Sequence, residues 1–131
     1  MYNSKIIGLG YYVPENVVTN DDLSKLMDTN DEWILERTGI KERRHVNSHD
    51  ETTTSMGVNA AKIAIERAGI AKDDIDFIVF ATLSPDYYFP GPGVLVQRDL
   101  GIKTVGALDV RNQCSGFVYG ISIADLSLIH I

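Results

Sequence analysis

A nearly continuous apolar segment, residues 75–82, restricts the fold of this chain more than any other feature. The segment reads IDFIVFAT, with Asp76 as its one charged residue. Apolar runs without alternation are typical of strands that are covered on both faces, as in parallel sheets. Strand and helix patterns alternate along the rest of the chain. We therefore predict an α/β fold with a mostly parallel mixed sheet whose strand at 75–82 is buried on both faces.

The other elements follow from apolar periodicity and from capping and turn residues. Either Thr19 or Asn20 is suited to cap the first helix. The last helix is apolar almost all round, so we expect it to be central and covered by other elements. The predicted strands cover residues 5–13 and 104–110, and the predicted helices cover residues 21–27, 31–37, 54–68 and 94–100, with a last helix starting within 114–120.

Charge and composition exclude several classes of protein. The 131 residues include 12 Lys and Arg against 18 Asp and Glu, a net charge of −6. This balance argues against a general nucleic-acid binder, because no basic stripe is present to neutralise phosphates. No segment is long enough to span a bilayer, the first residues do not form a signal peptide, and a single cysteine cannot form an internal disulfide. We expect a cytoplasmic protein that binds neither nucleic acid nor membrane.

The single cysteine, Cys114, lies where the predicted strand 104–110 gives way to a helix. The unpaired N–H groups and the dipole at a helix N-terminus stabilise negative charge, and the thiolate is the nucleophilic form of cysteine. Cys114 is therefore a candidate catalytic nucleophile. The alternative is a small, inert core residue, which is how most lone cysteines behave.

Trp33 and Arg37 are four residues apart and share one face of the predicted helix 31–37. An exposed indole beside a guanidinium forms a flat cationic clamp that suits an aromatic ring or a nucleotide phosphate. The alternative is a tryptophan that partly covers the core beside a solvated arginine. Arg43 and Arg44 follow closely and could add positive charge to the same region.

A loop rich in proline, glycine and tyrosine, residues 84–93, places Tyr87, Tyr88 and Phe89 between prolines. Exposed aromatic side chains on a stiff loop indicate an interface or a pocket wall, whereas ordinary loop packing is the alternative.

Two other patterns are set aside. Four potential metal ligands lie in one polar stretch without the helical H-E-x-x-H spacing, so no metal site is predicted. Gly8 and Gly10 follow the first predicted strand, but no third glycine opens a helix as in dinucleotide-binding folds. The four potential ligands are His45, His49, Asp50 and Glu51.

Taken together, these residues resemble the β-ketoacyl-acyl-carrier-protein synthase III family, which has the thiolase fold. The resemblance covers residues 2–125 without a large gap. The cysteine corner is shared widely among thiolase-like enzymes, and the tryptophan motif is the more specific one. The matching motifs are KIIG at 5–8, DTNDEWI at 28–34, RTGI at 37–40, ER at 42–43, FP at 89–90 and DV at 109–110 ahead of Cys114.

The resemblance implies a role for each matching residue. Cys114 would accept an acyl group from acyl-CoA, and its own backbone N–H would supply one donor of the oxyanion hole. Trp33 and Arg37 would sandwich the adenine of CoA, with Thr29 beside them. Phe89 would reach across a homodimer interface into the partner's acyl pocket.

The resemblance also implies the rest of the reaction. Malonyl carried on acyl carrier protein would lose CO₂, and the resulting enolate would attack the acyl-enzyme to give a β-ketoacyl product that initiates fatty-acid synthesis. This step requires a His and an Asn that the family places in its C-terminal half. No cofactor is implied, since the CoA thioester is a substrate.

The residues before the nucleophile depart from the family pattern. Arg111-Asn112-Gln113 replaces the small residues that are common there. Arg111 would stabilise the thiolate of Cys114 if its side chain points at the thiol. The bulky segment leaves open which acyl group primes the reaction. Two alternatives therefore stand beside the leading interpretation. One is a thiolase-like synthase of secondary metabolism, of polyketide or quinolone type, and the other is a non-catalytic CoA-binding fragment.

Residues 1–125 are interpreted as the N-terminal half of a two-half condensing enzyme. Residues 126–131, LSLIHI, leave the family pattern and can be encoded by CTGTCTCTTATACACATC, the transposon end used in sequencing libraries. We expect a non-native tail there, so His130 is not offered as the catalytic histidine. Without the second half we expect an exposed apolar face, poor solubility and no condensing activity.

Overall fold

A computed structural model of the protein describes residues 4–130. The chain forms two compact units. The smaller unit is Val13–Glu51, and the larger unit contains the residues before it together with those from Thr52 onward.

The smaller unit consists of two short strands and two helices. The strands pair antiparallel, with Val17 opposite Arg44. Thr19 caps the first helix in a reciprocal capping box with Asp22, which decides between the two predicted caps. The helix is shorter than predicted, since its helical residues end at Ser24. The elements are β1 (Val17–Thr19), α1 (Asn20–Ser24), α2 (Asp31–Thr38) and β2 (Glu42–Arg44).

A buried asparagine holds these four elements together. Asn20 is only 1% exposed. Its Nδ2 donates to Asp31 Oδ1 at 2.7 Å and to the Ile40 carbonyl at 2.8 Å, while its Oδ1 accepts from Arg43 Nη2 at 2.6 Å. Arg43 Nη1 also donates to the Val18 carbonyl at 3.2 Å. The guanidinium of Arg43 is therefore part of the internal structure rather than a free surface charge.

The larger unit is built on a parallel pair of strands. Phe77 lies opposite Gly106, and Ala81 lies opposite Val110. The α/β class is confirmed, although within residues 4–130 the strands form two separate two-stranded sheets instead of one mixed sheet. The elements are α3 (Thr53–Ala68), a 3₁₀ turn (Lys72–Asp74), β3 (Phe77–Ala81), α4 (Pro92–Leu100), β4 (Gly106–Val110) and α5 (Gly116–His130).

Strand β3 has helices on both faces, as its apolar sequence predicts. Phe80 lies against Gly57 of α3, whereas its neighbour Val79 lies against Gly120 of α5. The buried apolar residues of this unit lie on α3 and α4, and they are Val58, Leu95 and Val96. The strand itself is half-buried rather than fully buried.

The predicted first strand at residues 5–13 is wrong, because residues 4–13 form no strand. This segment packs on helix α3 instead of joining a sheet. A Cβ atom at Gly8 or Gly10 would overlap backbone atoms of α3, so the two glycines permit this close approach. Arg67 of α3 fixes the segment by donating to the Leu9 carbonyl at 3.0 Å.

Helix α5 is largely exposed, whereas its apolar composition predicts a covered helix. Phe117 is 67% exposed, and five further apolar or aromatic residues of this helix are exposed too. A groove of about 580 Å³ lies between α5 and β3. The physical reason is that α5 is apolar all round, whereas a two-stranded sheet can cover one side of it. Despite this composition, no helix within residues 4–130 is long and apolar enough to cross a membrane. The other exposed residues are Val118, Tyr119, Ile121, Leu126 and Leu128.

Replacing Asn20 by Ala should destabilise the smaller unit by about 2–3 kcal/mol, because Asp31 and Arg43 each lose a buried partner. The fluorescence of Trp33, the one tryptophan of the chain, reports unfolding of this unit in urea. Asn47→Ala is the matched control, because Asn47 is exposed, and it should change the free energy of unfolding by less than about 0.5 kcal/mol. Equal losses in the two variants would contradict this account of the buried network.

Candidate functional site at the carboxyl edge of the parallel strands

Strands β3 and β4 run parallel, so they end at the same edge of the sheet. Ala81 is paired with Val110, and the pairing extends one step further because the Thr82 N–H donates to the Val110 carbonyl at 3.1 Å. The aromatic loop, residues 84–93, leaves this edge after β3. The segment that carries Cys114 leaves it after β4. In α/β sheets this edge is where ligand sites generally form.

The cysteine turn, residues 111–115, connects β4 to helix α5. Gly116 N–H donates to the Gln113 carbonyl at 3.0 Å, which closes the turn. Gly116 is buried. A Cβ atom added to Gly116 would lie 3.2 Å from the Cβ atom of Ala81, so a larger residue there would press against β3. Cys114 stands two residues before the first helical residue, and its side chain is exposed. The thiol is therefore not packed into the core of the larger unit.

The carboxylate of Asp109 caps the N-terminus of helix α4. Its Oδ1 accepts from the Gly93 N–H at 2.8 Å. The N-cap residue Gly91 has no side chain to do this, and Pro92 has no N–H to offer. A Cβ atom at Gly91 would overlap the carboxylate, so the glycine is required by this contact. Asp109 thus joins β4 to the end of the aromatic loop.

The carboxylate of Asp86 holds the beginning of the aromatic loop on helix α3. It accepts from the Thr53 N–H at 2.7 Å and from the Thr54 N–H at 2.9 Å, and Thr53 Oγ1 donates to the Ser84 carbonyl at 2.6 Å. Partial burial raises the pKa of Asp86, but hydrogen bonds from Thr54, Thr53 and Thr52 outweigh burial and hold the pKa below its ordinary value.

The tip of the aromatic loop projects into solvent. Phe89 is 93% exposed, and Tyr87 and Tyr88 are exposed as well. The guanidinium carbon of Arg111 lies 4.4 Å from the ring centroid of Tyr88, so the charge of Arg111 is directed at this loop. A pocket of about 490 Å³ lies among the loop and the ends of β3 and β4. The loop is thus the wall of a pocket, which is one of its two predicted roles.

Trp33 and Arg37 lie together on helix α2, as their spacing predicts. The guanidinium carbon of Arg37 lies 4.5 Å from the ring centroid of Trp33, and the indole is 50% exposed. Asn30 caps the helix by accepting from the Trp33 N–H at 2.8 Å. Gly39 ends the helix in the left-handed conformation with φ +70°. The caps at both ends therefore fix the helical face that carries the pair.

Thr29 lies just before this helix. Its Oγ1 is buried and has no hydrogen-bond partner within residues 4–130. Buried hydroxyl groups are normally hydrogen-bonded, so this one is suited to receive a partner.

The other charged residues singled out in the sequence have structural surroundings. Arg44 donates to the Pro14 carbonyl at 3.1 Å, and Arg43 is held by Asn20. In the part of the chain that the structure describes, no group of three or more His, Cys, Asp or Glu side chains could hold a metal ion.

Sequence reasoning missed the two carboxylate caps. In the sequence, Asp109 belongs to the DV motif, which predicts no capping role for it, and no motif contains Asp86. The one local signal for Asp109 is that Gly91-Pro92-Gly93 starts a helix without a capping side chain. Asp86 has no local signal, because its partner Thr54 lies 32 residues away.

Comparison with known proteins gives the family relationship. No family model matches the chain. The beta-ketoacyl-[acyl-carrier-protein] synthase III of Ehrlichia canis is 50% identical over 125 residues, which are 95% of this chain and 39% of the relative. The chain thus spans about two fifths of the length of the curated relatives it matches.

Solved structures agree with the sequence comparison. The 3-oxoacyl-[acyl-carrier-protein] synthase III of Aquifex aeolicus VF5 is 48% identical, with a TM-score of 0.92 over 98% of this chain and 41% of that one. The priming beta-ketosynthase from the R1128 polyketide biosynthetic pathway is 36% identical, with a TM-score of 0.87 over 92% of this chain and 36% of that one. The resemblance to the β-ketoacyl-acyl-carrier-protein synthase III family and the thiolase-like α/β fold are confirmed.

Replacing Asp86 by Asn should cost about 1 kcal/mol of stability at neutral pH, because the α3 N-terminus loses a charged acceptor. Since the folded-state pKa of Asp86 is lowered from 3.8, its contribution is fully present above that value and is lost as the pH falls below it. Urea unfolding followed by circular dichroism at neutral pH and at pH 3 measures this difference.

The exposed Asp73→Asn is the control for this pair and should match the wild type at neutral pH. This account would be contradicted if Asp86→Asn lost no stability at neutral pH, or if its loss of stability grew as the pH fell below 4.

Proposed function

We propose that residues 1–125 belong to a condensing enzyme of the β-ketoacyl-acyl-carrier-protein synthase III type, in which Cys114 carries the acyl group. The observation that carries this proposal is the exposed thiol of Cys114 in the turn between a parallel strand and a helix. It stands in a chain that is 50% identical to an enzyme of that name.

The first step is transfer of an acyl group to Cys114. Its thiolate attacks the carbonyl carbon of acyl-CoA and forms a new C–S bond. The bond between that carbon and the sulfur of CoA breaks, and CoA leaves as a thiolate that takes up a proton. The backbone N–H of Cys114, near the start of α5, is proposed as one donor to the transient oxyanion.

The clamp on α2 is proposed to bind the adenine of CoA. Two stacked planes with a ring between them are about 7 Å apart, because each stacked contact needs about 3.5 Å. The 4.5 Å separation of Trp33 and Arg37 leaves no such space. An adenine ring therefore displaces the Arg37 guanidinium from the indole, or stacks on the open side of the pair. The buried Oγ1 of Thr29 supplies a polar partner beside it.

The second step is a decarboxylative condensation. Malonyl carried on acyl carrier protein loses CO₂, and the resulting carbanion attacks the thioester carbonyl on Cys114. The bond to Sγ breaks, which frees the thiol and leaves a β-ketoacyl chain on the carrier protein. The His and Asn that the family uses here are assigned to a second half, so the 131-residue chain alone is expected to be inactive. The intact protein is proposed to be a cytoplasmic homodimer in which Phe89 enters the partner's acyl pocket, and residues 126–131 stay a predicted non-native tail.

A second candidate is a starter synthase of secondary metabolism. It is favoured by the similarity to the R1128 priming ketosynthase and by the bulky Arg111-Asn112-Gln113 segment before the nucleophile. The extender separates the two candidates. A fatty-acid enzyme condenses with malonyl-acyl carrier protein, whereas a synthase of the second kind accepts malonyl-CoA or carriers of its own pathway.

Incubation of the intact protein with acetyl-CoA should add one acetyl group to Cys114, detected by intact mass and by peptide mapping. Cys114→Ala should show no adduct because the nucleophile is gone, while its binding of CoA should persist. Binding of CoA by the wild type without any adduct would contradict catalysis and favour a non-catalytic CoA-binding module.

Trp33→Ala should weaken CoA binding roughly tenfold, since stacking of a base on an aromatic ring contributes about 1–3 kcal/mol. Isothermal titration calorimetry with CoA measures the change, and Trp33→Phe should retain part of the affinity. Tyr11→Ala, another exposed aromatic position, is the control. An unchanged dissociation constant in Trp33→Ala would show that the clamp does not hold the nucleotide.

A further inference from the structure

Arg111 and Tyr88 connect the cysteine turn to the aromatic loop. The guanidinium carbon of Arg111 lies 4.4 Å from the centroid of the Tyr88 ring, a distance at which a cation is attracted to the face of an aromatic ring. Arg111 is the first residue after β4, and Cys114 follows three residues later. One end of this contact is therefore next to the thiol, and the other end is next to Phe89.

The end of β4 and the residue that follows it hold the aromatic loop at two places. Asp109 accepts from the Gly93 N–H at the end of the loop, and Arg111 stacks on Tyr88 at its tip. Between them, the Val110 carbonyl accepts from the Thr82 N–H. These contacts at the end of β4 thus determine the path of the loop.

Phe89 depends on these neighbours for its position. At 93% exposed, its side chain has almost no packing of its own. Asp86 fixes the loop to α3 three residues earlier, and Asp109 fixes it four residues later. Between these anchors, the contact of the Tyr88 ring with Arg111 involves the residue directly before Phe89 in the chain. Loss of that contact releases the loop tip while both ends stay attached.

We propose that Arg111 is a positioning residue, which holds the tip of the aromatic loop through Tyr88 and so fixes Phe89 relative to the turn that carries Cys114. Its consequence for acyl transfer rests on the proposed function. This differs from an action of Arg111 on the thiol itself, in which its charge would stabilise the Cys114 thiolate. The two roles predict different results for the loop and for the thiol.

The first test is hydrogen exchange of the loop amides in the intact protein. Arg111→Met and Tyr88→Leu should each increase exchange of residues 86–91 about two- to fivefold, the range expected for one exposed cation–π contact. Because both variants remove the same contact, the double variant should exchange no faster than either one. Tyr88→Phe keeps the ring and should resemble the wild type.

Lys103→Met is the control for these variants. Lys103 is an exposed cation just before β4 that pairs with Asp76 at 3.0 Å, at the opposite end of the strands from the loop. Exchange of residues 86–91 should be unchanged in this variant. Exchange of α3 amides serves as the internal measure that each variant is folded.

The second test compares two reactions of Cys114. Acylation by acyl-CoA should lose kcat/KM in Arg111→Met and in Tyr88→Leu, with recovery in Tyr88→Phe. Alkylation by iodoacetamide, a small reagent that needs no pocket, should keep its rate and pH profile in all of them. A thiol that merely loses a neighbouring charge would instead react more slowly with both reagents.

Loop exchange in Arg111→Met equal to that in Lys103→Met would overturn the positioning role. A fall in alkylation as large as the fall in acylation would also overturn it and would assign Arg111 to the thiolate. If wild-type Cys114 is not acylated at all, the proposed function fails, but the exchange experiment still decides whether Arg111 holds the loop.

Discussion

The hydrogen bond from the Gly93 N–H to Asp109 is the contact on which the arrangement of this edge depends. Pro92, the first residue of α4, has no N–H, so the Gly93 N–H is the first free donor of the helix, and Asp109 accepts its hydrogen bond. This hydrogen bond also fixes the end of β4 against the end of the aromatic loop. The carboxylate is fitted so closely that Gly91 cannot carry a side chain. A single side chain thus determines where one helix begins, where a strand ends and where the loop between β3 and α4 returns.

The chemistry of the site follows from this geometry. Parallel pairing of β3 with β4 brings the aromatic loop and the cysteine turn to the same edge. The thiol of Cys114 is exposed there, close to the first turn of α5, and the free backbone N–H groups at a helix N-terminus favour negative charge.

Local signals made the helices predictable from the sequence. The helix at Trp33 lies between Asn30 and Gly39, and both residues act as the caps that their chemistry indicates. The face shared by Trp33 and Arg37 was predictable for the same reason, since helical spacing is fixed by geometry. Cys114 was placed correctly between strand and helix because the apolar pattern changes period there.

The errors concern tertiary surroundings. Residues 5–13 have a strand-like composition, but Gly8 and Gly10 allow the backbone to lie directly on α3, so no sheet pairing forms. For helix α5 the sequence gives two expectations, since its composition predicts a covered helix and the resemblance to a two-half enzyme predicts an exposed apolar face. Its apolar side chains are exposed, in agreement with the second expectation. The carboxylate caps were not predictable because they join distant residues, such as Asp109 and Gly93 at a separation of 16.

The most direct test of the account is a crystal structure of the intact protein after brief exposure to acetyl-CoA. The account predicts continuous electron density from Sγ of Cys114 to an acetyl carbonyl, with the carbonyl oxygen directed toward the Cys114 backbone N–H. A free thiol at Cys114 together with an acetyl group on any other side chain would contradict it.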